Sequence, residues 1–420
     1  MPLESTPNPS SDIFSPISML PIEVLLHIFD IRCSLDESLK SPIALSHVSR
    51  KWREVATNQG PLWSRLEVRR LREANLIPLF AHRSGDNRLR LSFFNGGGPP
   101  AESAWTSENI VLEPSDVRLI SDLVFGEPNS FHVFMAEKAF HRELDLQSIS
   151  ISHVDCFSPE LCMSARRIDL YDSSMENLKD APLILPNLVD LDLALYLFSH
   201  LHRTFSSIEA PILQTITFYG MNPMANMGGS EVTPTMATRF PRLKKIVFER
   251  RSPHAWTLFT QLLGDTTPFI HTLDIFADHL WFEGRRPGDL VEFLCRALQN
   301  FPSLQSLTLR MLGSAVLHVL GVLATRVTGV VLVPKLTSLH VVLEPVDQSV
   351  DYDENDIPSD AVDRLPSLLE SRCSGRPLRL TDTAILDELT LPLRLAAGRE
   401  EWYRARVANF TTEEDSPRAR

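Results

Sequence analysis

The stretch that decides the fold of this chain reads Pro186-Asn187-Leu188-Val189-Asp190-Leu191-Asp192-Leu193. Its pattern is Pro-x-Leu-x-x-Leu-x-Leu, and it recurs with isoleucine, valine or phenylalanine in place of some leucines. Further copies begin at Pro211, Pro241, Pro268, Pro302 and Pro334. Successive prolines lie 25, 30, 27, 34 and 32 residues apart. Recurrence at such intervals indicates that one structural unit is repeated along the chain.

The last two apolar positions of each copy alternate with polar residues, as in a strand with one buried face. The intervals between copies hold helical patterns, for example at residues 289–298. Strand followed by helix, repeated with neighbours stacked in parallel, is the leucine-rich-repeat plan. We therefore expect buried residues on parallel strands at Leu191, Ile216, Ile246, Leu273, Leu307 and Leu339.

The intervals reach beyond the ~20–29 residues usual for leucine-rich repeats, so we expect a degenerate solenoid with a curved parallel sheet. An early strand is predicted at Leu89-Arg90-Leu91-Ser92-Phe93. Leu144-Asp145-Leu146 and Ile168-Asp169-Leu170 are candidates for weaker copies that lack the proline. Residues 365–395 are expected to supply a final helix and strand.

Two strings near the N-terminus predict a separate helical module: Leu20-Pro21-Ile22-Glu23-Val24-Leu25 and Val48-Ser49-Arg50-Lys51-Trp52. Proline suits the first turn of a helix, and the helix dipole favours a carboxylate such as that of Glu23 there. Ile22, Leu25, Leu26 and Phe29 form one apolar stripe at i, i+3, i+4 and i+7. Val24 and Ile28 are apolar on another side, and such a surplus usually marks a partner site or a second packing layer.

Residues 19–66 resemble the F-box, because they combine these strings with Arg53 and with Pro61-Leu62-Trp63. Segment 33–45 is longer than the usual connection, and Ser49 stands where many F-boxes carry cysteine. The resemblance implies binding to a Skp-family adaptor and, through it, to a cullin. The residues it assigns to adaptor binding are Leu20, Pro21, Glu23, Ile28, Val48 and Trp52. The alternative is an ordinary helical cap on a larger domain.

The composition fits an intracellular globular protein and argues against several other classes. Hydrophobic residues make up 43% of the 420, and the net charge of −12 disfavours nucleic-acid binding, which requires cations. Ten Arg or Lys residues within 50–90 are interpreted as a solvated helix face rather than an anion site. The five cysteines are scattered without zinc-ligand spacing, which favours the cytoplasm or nucleus. Residues 311–333 are interrupted by His318 and Arg326, so no membrane segment is expected.

No catalytic motif is found, and the chain is predicted not to be an enzyme and to need no cofactor or metal. His200 and His202 have no third ligand at suitable spacing. The carboxylate pairs Asp190 with Asp192 and Asp169 with Asp172 are interpreted as polar positions on strands and turns. The predicted divisions are a disordered lead-in at 1–18, the F-box-like module at 19–66, a linker helix with early repeats at 67–160, the repeat array at 161–395 and a tail at 396–420.

The outward side of the predicted sheet is the expected site for a target protein. Tyrosine, phenylalanine and arginine are the types that most often anchor interfaces, so target binding is assigned to Tyr219, Glu249, Phe276 and Arg310. The predicted function is the substrate-recognition subunit of a cullin–RING ubiquitin ligase. One alternative is a scaffold that binds the adaptor without directing a target to ubiquitination. Another is a sensor or enzyme built on the repeat surface.

Overall fold

The architecture was taken from a computed structural model of the chain. The structure describes residues 19–35, 41–69, 71–94, 120–126, 145–152, 159–171, 183–194, 205, 207–219, 239–249, 267–276, 298–311, 323, 326–327, 330–331, 333–343, 386–391 and 397–412. The chain divides into two compact units, Met1–Leu146 and Gln147–Arg420. Within the described ranges, no helix is both long enough and apolar enough to cross a bilayer.

The first unit begins with three helices: α1 at Ile22–Leu35, α2 at Ser41–Val48 and α3 at Arg50–Thr57. Ser49 separates α2 from α3 in an extended conformation, and its Oγ accepts a hydrogen bond from the Trp52 N–H at 3.2 Å. This is an N-cap, which satisfies one of the N–H groups that lack a partner at a helix start. The N-cap of α3 therefore explains why a polar residue occupies position 49.

A short 3-10 helix at Gly60–Trp63 connects these helices to the first strands. Trp63 is completely buried, its Nε1 donates to the Ala56 carbonyl at 2.8 Å, and its ring meets Phe80 edge-on at 5.0 Å. A Cβ added at Gly60 would lie 2.5 Å from the Ser84 carbonyl oxygen. Only glycine allows this close approach of two backbone segments.

The remaining elements of the first unit form a small parallel sheet with its own helices. They are β1 at Arg65–Val68, α4 at Leu71–Ala74, α5 at Ile77–Ser84, β2 at Leu89–Phe94 and β3 at Ile120–Gly126. The strands pair in parallel in the order β1-β2-β3. The early strand predicted at residues 89–93 is therefore confirmed.

The second unit is dominated by a parallel sheet. Its elements are β4 at Ser148–Ser152, α6 at Pro159–Cys162, β5 at Arg167–Tyr171, β6 at Leu183–Ile184, β7 at Asp190–Ala194, β8 at Ile208–Glu209, β9 at Thr215–Tyr219, β10 at Lys245–Glu249, β11 at Thr272–Phe276, β12 at Ser306–Met311, β13 at Arg326–Val327, β14 at Val330–Val331, β15 at Ser338–Leu343, β16 at Glu388–Leu391, α7 at Ala397–Arg404 and β17 at Asn409–Thr412. The sheet order is β4-β5-β7-β9-β10-β11-β12-β15-β16-β17, and all neighbouring strands in it are parallel. β6 pairs with β8, and β13 pairs with β14.

The proline of the repeat lies in a turn that precedes each strand. In five copies, the N–H of the first leucine donates to the carbonyl of the residue before the proline, at 3.1–3.3 Å. Proline is then the second residue of a β-turn, where its fixed φ suits the turn. These turns are Leu185–Leu188, Ala210–Leu213, Phe240–Leu243, Phe301–Leu304 and Val333–Leu336.

A second regular feature stands at the start of seven strands of this sheet. The carbonyl of the residue before one strand accepts two N–H groups from the start of the next. The Val189 carbonyl, for example, accepts from Gln214 at 2.8 Å and from Thr215 at 3.1 Å. A carbonyl has two lone pairs, so both bonds can form together. The same arrangement recurs at the carbonyls of Arg166, Gln214, Lys244, His271, Gln305 and Thr337.

The prediction that six apolar residues are buried on parallel strands is confirmed, and the arrangement is consistent with a solenoid-like repeat. The six leucines and isoleucines predicted to be buried are at most 1% exposed, and they stand opposite one another in register on the parallel strands. The protein is thus a mixed α/β chain in which an N-terminal helical module precedes parallel strands contributed one per repeat. The predicted loop at 344–360, the pair His200 and His202, and Asp172 lie outside the described residues.

Two details differ from the sequence interpretation. The strand near residue 146 is Ser148–Ser152, because Leu146 occupies the first leucine position of the pattern and Ile149 and Ile151 the next two. In the range assigned to a tail, residues 397–412 contain α7 and β17, and β17 extends the sheet beside β16. The apolar signal there is weak, because Thr412 replaces the last leucine and no proline precedes the copy.

Candidate functional site

The helical module buries one side of α1 and exposes another. Leu25 and Phe29 belong to a core that also contains Leu45, Trp52, Val55 and Ala56. Because a helix turns by ~100° per residue, Val24 and Ile31 lie on a different side from this core, whereas Ile28 lies at its edge and packs against it. The side chains of Val24 and Ile31 are 42% and 44% exposed.

Exposed apolar side chains are concentrated on this module. Among the described residues, nine large hydrophobic residues are exposed, and five of them belong to residues 19–48. We name these five the apolar surface of the module: Met19, Ile22, Val24, Ile31 and Val48. Single exposed apolar residues are ordinary, but a concentration of them usually marks an interaction site.

The six residues predicted to bind an adaptor occupy different environments. Pro21, Glu23 and Val48 are exposed, whereas Leu20 and Ile28 are partly buried against the core. Trp52 is 8% exposed, and its ring packs against Phe29 at 5.0 Å. A hydrogen bond from Lys51 Nζ to the Leu20 carbonyl, at 2.7 Å, connects the segment before α1 to α3.

The four residues predicted to bind a target lie at corresponding positions of adjacent strands. Tyr219 stands opposite Glu249 in the β9–β10 register, and Phe276 stands opposite Arg310 in the β11–β12 register. All four are partly buried. The Arg310 guanidinium lies 4.3 Å from the centre of the Phe276 ring, a cation–π arrangement. We name the sheet side that carries these residues the outward face.

An ionic cluster around the buried carboxylate of Asp192 also lies on the outward face. Arg167 bridges two strands, because its Nε donates to Asp169 at 2.9 Å and its Nη2 contacts the Asp192 carboxylate. The side chain of Asp192 is only 4% exposed. Burial, together with the neighbouring Asp169 carboxyl group, raises the pKa of Asp192 to about 6, against the opposing effects of the Thr217 hydrogen bond and the Arg167 charge. The pKa of Arg167 is raised by the two carboxylates although burial alone would lower it.

Two tyrosines border this cluster. The ring centres of Tyr171 and Tyr219 are 6.4 Å apart, and the ring planes make an angle of 35°. Burial raises the pKa of both phenols, and the neighbouring carboxylates raise it further. For Tyr219 these carboxylates are Asp192 and Glu249. The two rings therefore lie in a negative environment.

A polar network at the other end of the sheet superficially resembles a catalytic triad. Ser338 Oγ lies 3.0 Å from His340 Nε2, and Glu388 Oε2 lies 3.4 Å from the same nitrogen. In a serine–histidine–acid triad, the acid holds the opposite ring nitrogen from the one facing serine. Here that nitrogen, Nδ1, faces Thr390 at 2.9 Å. The geometry is that of a cross-strand polar network, not of a relay.

Sequence reasoning found the position of Asp192 but not its partner. Arg167 lies in a copy of the repeat without proline, 25 residues earlier in the chain. Only the strand register brings the two side chains together. Among the described residues, no group of three His, Cys, Asp or Glu side chains could hold a metal ion.

Comparison with known proteins identifies the helical module. Residues 17–69 match the model of the F-box-like family, and this range contains α1, α2, α3 and β1. No curated protein matches the chain. F-box domains in general bind Skp-family adaptors, and F-box-like proteins are in general non-catalytic substrate adaptors. The chain therefore carries an F-box-like domain at its N-terminus, which indicates an adaptor-binding role of the ubiquitin-ligase type.

Proposed function

We propose that this chain is the substrate-recognition subunit of a cullin–RING ubiquitin ligase. The observation that carries the proposal is the apolar surface, which lies within the residues that match the F-box-like family. Association with a Skp-family adaptor would bury these side chains, and burial of apolar area is the main driving force of association. The adaptor would in turn connect the chain to a cullin.

In this proposal the chain contributes position rather than chemistry. The F-box-like domain holds the adaptor, and the outward face of the repeat sheet holds a target protein. Holding two reactants together in a fixed orientation can lower the activation free energy of their reaction substantially. Extended faces of repeat arrays are common binding surfaces, and Tyr219, Phe276 and Arg310 are of the residue types that often anchor interfaces.

The six predicted adaptor residues are expected to act in two ways. Pro21, Glu23 and Val48 are exposed and can contact the adaptor directly. Trp52 is buried against Phe29, so we expect it to support the packing of α3 on α1. Replacing Trp52 should therefore impair both folding and adaptor binding, and it is a poor choice for testing the interface.

The sharper test replaces exposed apolar side chains. Val24, Ile31 and Val48 are 42%, 44% and 54% exposed. Fully burying such a side chain is worth ~1.5–3 kcal/mol. Since about half of each is already buried, truncating all three to alanine should remove roughly 3 kcal/mol, about a hundredfold in affinity. The measurement is titration of the purified full chain with a Skp-family adaptor.

The matched control truncates Met163 and Ile184, which are 46% and 54% exposed but belong to the second unit. This variant should bind the adaptor with unchanged affinity. Equal adaptor binding by the wild type and by the triple variant would refute the assignment of the apolar surface. If adaptor binding is confirmed but no protein accumulates when the chain is removed from cells, the scaffold alternative would be favoured over the ligase subunit.

A further inference from the structure

The rings of Tyr171 and Tyr219, which we name the tyrosine pair, lean towards each other across one strand. They are the last residues of β5 and β9, and β7 runs between those strands. Two strand spacings amount to ~9.6 Å, whereas the ring centres are 6.4 Å apart. The β7 residue opposite Tyr171 is Ala194, whose small side chain leaves room for the rings to approach.

Among the described residues, those around the tyrosine pair carry more negative than positive charge. Asp169, Asp192 and Glu249 contribute three carboxylates, and Arg167 supplies one guanidinium that is bound to the two aspartates. Glu249 stands opposite Tyr219 in register. Within the described part of the chain, Glu249 forms no salt bridge. The raised pKa of Tyr219 agrees with this charge balance, because Asp192 and Glu249 contribute to it after burial.

Aromatic faces favour a cation when they lie beside a carboxylate, and Glu249 is a carboxylate that no described residue neutralises through a salt bridge. A guanidinium or ammonium group gains both from the ring quadrupole and from the opposite charge. An acidic or phosphorylated segment would meet three carboxylates and be repelled. The tyrosine pair is also accessible to a partner protein, since Tyr171 is 38% exposed.

We propose that the tyrosine pair and Glu249 bind an arginine or lysine side chain of the protein that docks on the outward face. That this protein is a ligase target rests on the proposed function. The preference for a cation rests only on the geometry and charge of the described residues. The partner class is thus a basic segment of a protein, with its positive side chain placed over the rings and its flanking residues along the sheet.

The test measures the affinity of the purified full chain for labelled peptides that consist of glycine and serine except at the varied positions. One peptide carries arginines, a matched peptide carries citrulline at the same positions, and a third carries glutamate. Citrulline keeps the shape of arginine without its charge. We expect the arginine peptide to bind about tenfold more tightly than the citrulline peptide, the scale of one desolvated cation–π contact with a charge pair. The glutamate peptide should bind most weakly.

Variants of the chain test whether the preference for the arginine peptide arises at the proposed site. Glu249→Gln and Tyr219→Leu should each reduce the preference for arginine over citrulline by several-fold, whereas Tyr219→Phe should retain it because the ring face remains. Glu388→Gln is the charge-matched control, since Glu388 lies on the same face of the sheet but on β16. Circular dichroism of each variant checks the fold, and Glu249→Gln at a partly exposed position is the variant least sensitive to folding.

Three outcomes would overturn the proposal. They are equal binding of the arginine and citrulline peptides, an arginine preference unchanged by both Glu249→Gln and Tyr219→Leu, and an equal loss in Glu388→Gln, which would indicate diffuse charge attraction. Adaptor binding is measured on the same preparations. Loss of adaptor binding with retained arginine preference would refute the ligase assignment alone, and the reverse result would refute the cation site alone.

Discussion

Replacing Asp192 by asparagine should stabilise the repeat sheet at neutral pH. Asp192 is buried beside Arg167, and burial dominates the rise of its pKa to about 6. Asparagine has nearly the same shape and carries no charge. It can still accept the hydrogen bond from Thr217, and Arg167 keeps its contact with Asp169.

The expected gain in the free energy of unfolding follows from the difference between the pKa of Asp192 in the folded state and its ordinary value. A rise from the ordinary 3.8 to about 6 corresponds to about 3 kcal/mol of unfavourable free energy for the ionised form in the folded state. Between these two pH values the folded state binds more protons than the unfolded state. The free energy of unfolding therefore falls as the pH rises from about 4 to about 6.5, and then levels off.

The variant should remove this pH dependence. Relative to the wild type, Asp192→Asn should be more stable by up to about 3 kcal/mol at pH 7.5 and nearly equal in stability near pH 4. Other carboxylates titrate in the same range, so the quantity to compare is the difference between variant and wild type. Asp190→Asn, on the same strand, controls for the loss of one negative charge.

Hydrogen exchange followed by mass spectrometry is the suitable assay. The chain has two compact units, so a single unfolding curve would mix their transitions. Peptides covering β7 and β9 report the opening free energy of the sheet around Asp192. A variant that is less stable than wild type at pH 7.5 would refute the reasoning. So would a difference from wild type that is the same at pH 5 and pH 7.5.

Two further changes test the packing of each unit. Leu307→Ala should destabilise the sheet by ~2–5 kcal/mol, because Leu307 is completely buried, and protection against hydrogen exchange in β12 is the measurement. Thr308 is the next residue of the strand and lies on the outward face. Thr308→Ala should therefore lower the free energy of unfolding much less than Leu307→Ala does. Ser49→Ala should lower the stability of the F-box-like domain by ~1 kcal/mol, and Ser49→Asp should restore most of it, because aspartate is also a good N-cap. A Ser49→Ala variant with unchanged protection against hydrogen exchange in α3 would show that the cap contributes nothing.

The repeats and the helical module could be predicted because apolar spacing encodes them directly. Leu191 and its equivalents occur at a fixed position after a proline, and that position fixes both the strand and its buried side. At β4, where the proline is missing, the strand was predicted at residues 144–146 but lies at Ser148–Ser152. The apolar spacing also failed at β17, where Thr412 occupies the place of a leucine.

The composition of the outward face could be predicted only in part. Tyr219 and Glu249 were placed on it correctly, since side chains alternate along a strand. Whether these residues bind a target stays a prediction. The contacts of Tyr219 with Tyr171 and of Asp192 with Arg167 depend on which strands are neighbours and in what register. No single stretch of sequence contains that information.

The paired hydrogen bonds at the starts of seven strands have a consequence for how this chain can diverge. Register is fixed within a few residues, by the proline turn and by one carbonyl that accepts from two N–H groups. The intervals of 25 to 34 residues between prolines therefore differ without shifting the sheet. Mutation can lengthen, shorten or exchange the segment after any strand while its neighbours stay aligned. The sheet thus provides a constant frame on which the segments between strands can change one at a time.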